Sequence, residues 1–288
     1  MSPTVPRVPR SITPCELVQT ILDFGAAIIE GYVDADVALG IEADLSSVVA
    51  ERTGGFRPGH DDFYGSQTVR VQNLIRHSTR WRESILNHPL HHAVADAVLL
   101  AGCGDYWMSQ SELIYLGPGQ AAQTLHADDI NWSLAASIPG IELQVACLVA
   151  LGDYDKAVGA TRVVPGSHRW EAGRVPQPHE VLSVELAPGD AMMYLGSTVH
   201  GGGENTTSDR WRKALYISFL VGWLTPEEAV ALSIPDDVVA SLTDRERRLL
   251  GWSSIPGRVV APGEEADLAV WQLDAQDPKM VSGYFCRR

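Results

Sequence analysis

From Asp105 onward the apolar residues of this 288-residue chain lose helical spacing and fall into short runs separated by turn signals. The runs are Tyr106–Leu116, Leu143–Leu151, Ala160–Val164, Val181–Leu186, Ala191–Tyr194 and Ala214–Val221. Helical patterns precede them. That order, helices first and strands later, is that of an α+β chain with an antiparallel sandwich or barrel as its core.

The stretch before this core reads as support. Residues 1–12 are expected to be a loose arm. Thr13-Pro14-Cys15-Glu16 is a helix start, with Thr13 as cap, Pro14 in the first turn and Glu16 in the capping-box position. Leu17, Ile21, Leu22 and Phe24 give that helix an apolar side, and 25–32 reads as a short buried strand. Residues 34–49 return to helical spacing. Residues 52–66, with four glycines, form a loop able to move. Thr68–Ile75 alternates like a strand, and Trp81–Leu100 is helical with an interruption near Pro89. After Trp223 come two helical patterns, Thr225–Leu232 and Pro235–Leu250, and an irregular tail, 252–288, suited to covering a site or a subunit partner. The chain therefore divides into an arm (1–12), a mainly helical support (13–104), a β core (105–223) and C-terminal helices with a tail (224–288).

Composition narrows the function. Hydrophobic residues are 45% and charged residues 20%, which suits a soluble globular protein able to bury a core without disulfides. The net charge of −14 argues against nucleic acid or an anionic membrane as partner, so any bound anion needs a local cation. Cys15, Cys103, Cys147 and Cys286 form no CxxC pair and read as reduced, mostly buried thiols. With no signal peptide or transmembrane run, the expected location is cytoplasmic.

Within the core, Gln123-Thr124-Leu125-His126-Ala127-Asp128-Asp129 follows an apolar run and the turn Gly117-Pro118-Gly119. On an extended segment His126 and Asp128 point to the same side, a parity Asp129 lacks. An imidazole beside a carboxylate offers two metal ligands, and a distant His completes a face of three. His200 is the candidate, after the apolar run 191–195 and before Gly201-Gly202-Gly203, where other atoms can approach closely. Two His and one carboxylate on one face is the preference of non-haem Fe(II) oxygenases. An isolated H-x-D is more often a surface accident or a His bonded to a carboxylate. The other histidines (His60, His77, His88, His91, His92, His168 and His179) sit in polar, helical or turn contexts and read as surface or structural.

Arg212 enters the apolar strand 214–219. A guanidinium there needs an acidic partner. A dicarboxylate chelating the metal at one end can meet Arg212 at the other. The plainer reading pairs Arg212 with Asp209 or Glu204 at the surface, and Arg210 and Lys213 are close rivals for the role. Tyr64, Phe63, Ile130 and Trp132 are candidates to line a substrate pocket, with ordinary packing as the alternative for each.

Together these residues resemble the phytanoyl-CoA dioxygenase family of Fe(II)/2-oxoglutarate oxygenases, in its fungal secondary-metabolite branch. The likeness lies in Gly104-Asp105-Tyr106-Trp107, Ala122-Gln123 before His126-Ala127-Asp128, Gly159-Ala160-Thr161 with Pro165-Gly166-Ser167-His168-Arg169-Trp170, Pro188-Gly189-Asp190, His200-Gly201-Gly202 and Leu249-Leu250-Gly251-Trp252. The resemblance implies a jelly roll, or double-stranded β-helix, cupin-like and flanked by helices. It implies His126, Asp128 and His200 as iron ligands and Arg212 on the distal carboxylate of 2-oxoglutarate. It further implies that Gln123 and Thr161 hydrogen-bond the same co-substrate and that Asn73 lies on the substrate side. Two positions depart from the family pattern: Ala127 stands where Arg is frequent, and Lys156-Ala157-Val158 precedes Gly159-Ala160-Thr161. Retention of Asp128 argues against a halogenase.

The expected function is oxidation of a C–H bond in a bulky, mostly apolar natural product such as an alkaloid or terpenoid, using Fe(II), 2-oxoglutarate and O2. Hydroxylation, desaturation, epoxidation and rearrangement are all within the family's range. The alternatives are a catalytically silent paralogue supporting an active partner subunit, and a cupin-like metal-dependent isomerase needing no O2. A homodimer built through the tail is expected on family grounds.

Overall fold

The computed structural model describes residues 4–52, 61–100, 105–171, 173–253, 255–256, 269–270 and 276–281. The strands of its two larger sheets are β1 (Arg7–Pro9), β2 (Ala26–Glu30), β3 (Thr68–Gln72), β4 (Tyr106–Leu116), β5 (Gln144–Ala150), β6 (Thr161–Val163), β7 (Leu182–Val184), β8 (Ala191–Leu195), β9 (His200–Gly201) and β10 (Arg212–Val221). A seven-stranded sheet runs β1-β2-β8-β5-β10-β4-β3, and a three-stranded sheet runs β7-β6-β9. Within these sheets every pairing is antiparallel except β1 with β2.

Strand alternation divides the buried residues into two cores. Val145, Cys147 and Val149 of β5, Met193 of β8, and Leu215 and Ile217 of β10 pack with Leu17, Ile21, Ile41, Leu45 and Val94 from the helices Pro14–Phe24, Ala35–Glu51 and Pro89–Leu99. The residues between them, Ala146, Leu148, Met192, Tyr194, Ala214 and Tyr216, face the other way. They pack with Val163 and Val184 of the small sheet. The large sheet is thus buried on both faces, which is why its strands read as nearly continuous apolar runs. The result is the α+β jelly roll flanked by helices that the resemblance implied. Arg212 shares the inward parity of Ala214 and Tyr216, and this directs its side chain to the interior between the sheets.

Several expectations need correction. The arm is not loose throughout: β1 pairs with β2 in parallel register, Arg7 opposite Ile28. Its prolines hid it, because Pro has no N–H to donate and is confined to sheet edges. The Thr13 capping box forms as expected, and Trp81–Leu100 breaks into Thr79–Trp81, a π turn Arg82–Leu86 and the helix Pro89–Leu99. The C-terminal helical pair is instead three short helices, Val230–Ser233, Asp236–Ala240 and Asp244–Leu249. Pro235 interrupts the second pattern at its start, and Thr243 begins a new helix with its own capping box. Residues 53–60 of the glycine-rich loop and most of the tail lie outside the described residues, while Asp61–Tyr64 forms one helical turn. Cys147 is buried but Cys15 is exposed; Cys103 and Cys286 lie outside the described residues. Among the described residues no helix is long and apolar enough to cross a membrane.

Candidate metal and co-substrate site

After β4 the chain turns at Gly117–Gly119 and returns alongside the segment that carries β9. Main-chain bonds join Gln120 with Asn205, Gln123 with Gly202, and His126 with His200. The His126–His200 pair is reciprocal, each N–H donating to the other's carbonyl at 2.8 Å. Between the last two pairings, Thr124 and Leu125 stand opposite the single residue Gly201. This is a β-bulge, a device that re-aims side chains beside active sites. A Cβ on Gly201 would lie 3.0 Å from the Thr124 carbonyl oxygen, so the bulge leans on a position where glycine fits best.

The expected extended segment is therefore interrupted. Ala127 is extended, but Asp128 opens a 3-10 turn, Asp128–Trp132, with its N–H on the Gly196 carbonyl at 2.8 Å. The side chains still converge. Asp128 Oδ1 lies 3.5 Å from His126 Nε2 and 3.6 Å from His200 Nε2. One ligand atom from each of the three residues falls within 4.8 Å of the others. Each imidazole turns its Nδ1 to a carbonyl two residues upstream, His126 to Thr124 at 2.9 Å and His200 to Thr198 at 3.1 Å. Those bonds make Nδ1 the donor and turn each Nε2 toward Asp128, where a metal could be ligated; the His200 Nε2 also lies 3.2 Å from the Tyr194 hydroxyl.

Two tyrosines that sequence reasoning passed over as core complete the support. The Tyr216 and Tyr194 hydroxyls donate to Asp128 Oδ2 at 3.1 and 3.3 Å, which leaves Oδ1 toward the imidazoles. The clue was parity: both share the inward face of their strands with Arg212 and Met192. Burial alone would raise the Asp128 carboxyl; the His200 and His126 imidazoles and the Tyr216 hydroxyl hold it below the usual range. Burial, reinforced by the Asp128 charge, keeps both phenols protonated and therefore donors. The same burial pushes His200 down toward the neutral, ligating form.

Arg212 lies in the same cavity and is 4% exposed. Its Nη1 donates to the Gly159 carbonyl at 3.3 Å, and its guanidinium stands 5.3 Å from the centre of the Tyr154 ring. Its Nε has no partner, and among the described residues it makes no ion pair. Neither Asp209 nor Glu204 compensates it. The rival cations are satisfied elsewhere: Arg210 pairs with Asp155 at 2.7 Å and Asp153 at 3.2 Å, and Lys213 with Glu42 at 2.5 Å. A buried guanidinium with an orphaned N–H, opening on a cavity, is a receptor for an anion.

Gln123 and Thr161 also line this cavity. Gln123 Oε1 accepts from the Gly202 N–H at 3.1 Å, and the Thr161 hydroxyl meets the Tyr154 hydroxyl at 2.6 Å. Gln123 and Thr161 share one cavity, open to solvent, with the three converging ligands and Arg212. Of the substrate candidates, Tyr64 and Ile130 line it, as does Phe63, whose ring sits edge-on to His126 at 4.9 Å. Trp132 does not: its indole N–H donates to the Thr225 carbonyl at 3.2 Å and its ring packs on the outer core, because the 3-10 turn rotates it away. Asn73 does not either. It adopts a left-handed conformation, φ 62°, its N–H donates to Glu228 Oε1 at 2.6 Å, and its amide donates to the Ser233 carbonyl. The wall is also more polar than expected, with Gln110, Asn131, Glu227 and the Arg70–Glu112 ion pair among its residues.

Two imidazoles and one carboxylate converging within a jelly roll form the donor set of a mononuclear non-haem iron site, and the orphaned Arg212 fits an anionic co-substrate. Comparison with known proteins agrees. The phytanoyl-CoA dioxygenase (PhyH) family matches residues 22–214, a span that contains all four residues. The chain belongs to that family. It is 32% identical to the dioxygenase trt7 of Aspergillus terreus over 252 residues, covering 86% of this chain and 87% of that one. It is likewise 32% identical to the Fe(II)/2-oxoglutarate-dependent dioxygenase nvfF of Aspergillus novofumigatus, over 88% of this chain and 86% of that one. Among solved structures it shares the fold of the non-heme alpha ketoglutarate dependent carbocyclase SnoK from nogalamycin biosynthesis, with a TM-score of 0.58 at 18% identity. That match covers 81% of this chain and 92% of the other.

Proposed function

We propose that this chain, acting as one domain over residues 1–288, is an Fe(II)- and 2-oxoglutarate-dependent dioxygenase. It oxidises a C–H bond of a bulky natural product in secondary metabolism. The observation that carries the reading is the placement of His126, Asp128, His200 and the uncompensated Arg212 around one cavity.

His126 Nε2, His200 Nε2 and Asp128 Oδ1 would hold the iron. Tyr194 and Tyr216 hold Asp128 Oδ2, which leaves Oδ1 toward the two imidazoles and available as a ligand. Arg212 takes the distal carboxylate of 2-oxoglutarate, and Gln123 and Thr161 hydrogen-bond the same molecule. Bound Fe(II) would supply the oxidising chemistry: 2-oxoglutarate and O2 would give CO2 and succinate, which keeps one oxygen atom of O2, while the other would leave in the oxidised product or as water as a substrate C–H bond is cleaved. Burial of Arg212 and of the ligand set strengthens each electrostatic contact and limits water. The substrate enters past Phe63, Tyr64 and Ile130. We also propose cytoplasmic residence, consistent with the free thiols, and a homodimer. Light scattering at twice the 31.2 kDa chain mass would support the dimer, and at that mass would not.

The test is incubation with Fe(II), 2-oxoglutarate, O2 and candidate polycyclic metabolites, read by product mass and succinate yield. A product heavier by one oxygen or lighter by two hydrogens, formed with succinate, supports the proposal. Turnover in anaerobic buffer without 2-oxoglutarate would favour the isomerase. Failure to bind iron would favour the silent paralogue, against which the intact triad and Arg212 both speak.

A further inference from the structure

The pairing of Gln123 with Gly202 is incomplete in an informative way. In an antiparallel hydrogen-bonded pair the two residues exchange both main-chain bonds. Gln123 N–H donates to the Gly202 carbonyl at 3.0 Å, but the Gly202 N–H donates to the Gln123 side chain, Oε1, at 3.1 Å. The Gln123 carbonyl has therefore lost its ladder donor. The Arg162 guanidinium supplies it: Nη2 donates to the Gln123 carbonyl, and Nε donates to the Gly202 carbonyl at 3.3 Å.

Arg162 lies on β6, opposite Gly201. Its neighbour Thr161 lines the cavity, so strand alternation sends Arg162 to the outer face of the small sheet. From there it reaches across Gly201 and Gly202, which have no side chains to block it. Among the described residues Arg162 makes no ion pair. Its two carbonyl partners belong to the one pair, Gln123 with Gly202, that closes the near end of the bulge that aims His126.

We propose that Arg162 is a positioning residue for the co-substrate and metal ligands. By taking over the Gln123 carbonyl it lets the Gly202 N–H hold Gln123 Oε1. That bond turns the Gln123 amide NH2 toward the cavity as a donor for 2-oxoglutarate. It also pins the foot of the bulge between Gln123 and His126. The inference rests on the proposed function and deepens it, because it says what orients Gln123.

The experiment is a double-mutant cycle on the full chain, with Arg162→Met, Gln123→Ala and the double variant. It is read by 2-oxoglutarate affinity in anaerobic Fe(II) titrations and by melting temperature without metal. Arg162→Met should weaken 2-oxoglutarate about tenfold, the scale of one lost bond to a charged group. In the Gln123→Ala background the Gly202 N–H is free to return to the carbonyl at 123, so the same change should cost little. Arg162→Lys, able to serve one carbonyl, should fall between. Additive losses in the cycle, or wild-type affinity in Arg162→Met, would overturn the inference. So would a loss that tracks the melting temperature across all three Arg162 and Gln123 backgrounds. If wild type itself bound neither iron nor 2-oxoglutarate, the proposed function would fail instead. Should Arg162→Met not fold, Arg162→Lys in the two backgrounds carries the same comparison.

Discussion

Replacing Arg212 by methionine should stabilise the protein without co-substrate while crippling its use of 2-oxoglutarate. The side chain is 4% exposed, has an orphaned Nε and has no carboxylate partner among the described residues. Keeping a charge there costs several kcal/mol of hydration, offset in part by the Gly159 carbonyl and the Tyr154 ring. Methionine keeps much of the volume and removes the charge, for a net gain of ~1–3 kcal/mol. That gain corresponds to a rise of a few degrees in melting temperature. With 2-oxoglutarate the sign reverses. Loss of a charge-assisted carboxylate pair costs ~2–4 kcal/mol, which raises the required concentration by roughly 30- to 1000-fold. Thermal shift in chelator and a 2-oxoglutarate titration of succinate release measure the two effects on one preparation. An unchanged 2-oxoglutarate requirement would refute the anion-receptor argument, whatever the melting temperature did.

Other changes test neighbouring parts of the account. Tyr194→Phe with Tyr216→Phe removes both donors to Asp128 Oδ2; Fe(II) affinity, measured by competition with a chelator, should fall about 10- to 100-fold. Gly203→Ala would place a Cβ 2.5 Å from the Ala160 carbonyl oxygen; a loss of ~1–3 kcal/mol is expected in denaturant unfolding. Glu142 gives a pH test. Burial pushes its carboxyl up to about 7 despite the Ser197 hydrogen bond, so between pH 4.5 and about 7 the folded state holds a proton the unfolded state has released. Its contribution is present below 4.5 and lost as pH rises through 7, by about 3 kcal/mol. Glu142→Gln should therefore gain stability relative to wild type as pH rises from 5 to 8, and a constant difference in melting temperature would contradict this.

Much of the fold was legible because the large sheet is buried on both faces. Its strands are long apolar runs with clear ends, and β4 matches the run Tyr106–Leu116 residue for residue. The ligand types were legible too, since few residue types bind iron and His126, Asp128 and His200 are among them. What stayed hidden depends on contacts between distant segments. Tyr194 and Tyr216 look like core residues until Asp128 is placed against them. The bulge exists only as a mismatch between Thr124-Leu125 and Gly201. Trp132 was drawn to the pocket by its proximity to Asp128 in sequence, but the 3-10 turn between them sets its direction. Asn73 was drawn there by resemblance, and its left-handed backbone instead ties it to Glu228 and Ser233.

The central claim is that one ferrous ion and one 2-oxoglutarate share a site built by His126, Asp128, His200 and Arg212. Anaerobic titration of the purified protein with Fe(II) in the presence of 2-oxoglutarate measures this directly, through the visible charge-transfer absorption of an iron-chelated 2-oxo acid. The account predicts a band that saturates at one iron per chain and disappears in His126→Ala, Asp128→Ala and His200→Ala. A protein that gave no band, or kept it in all three variants, would contradict it.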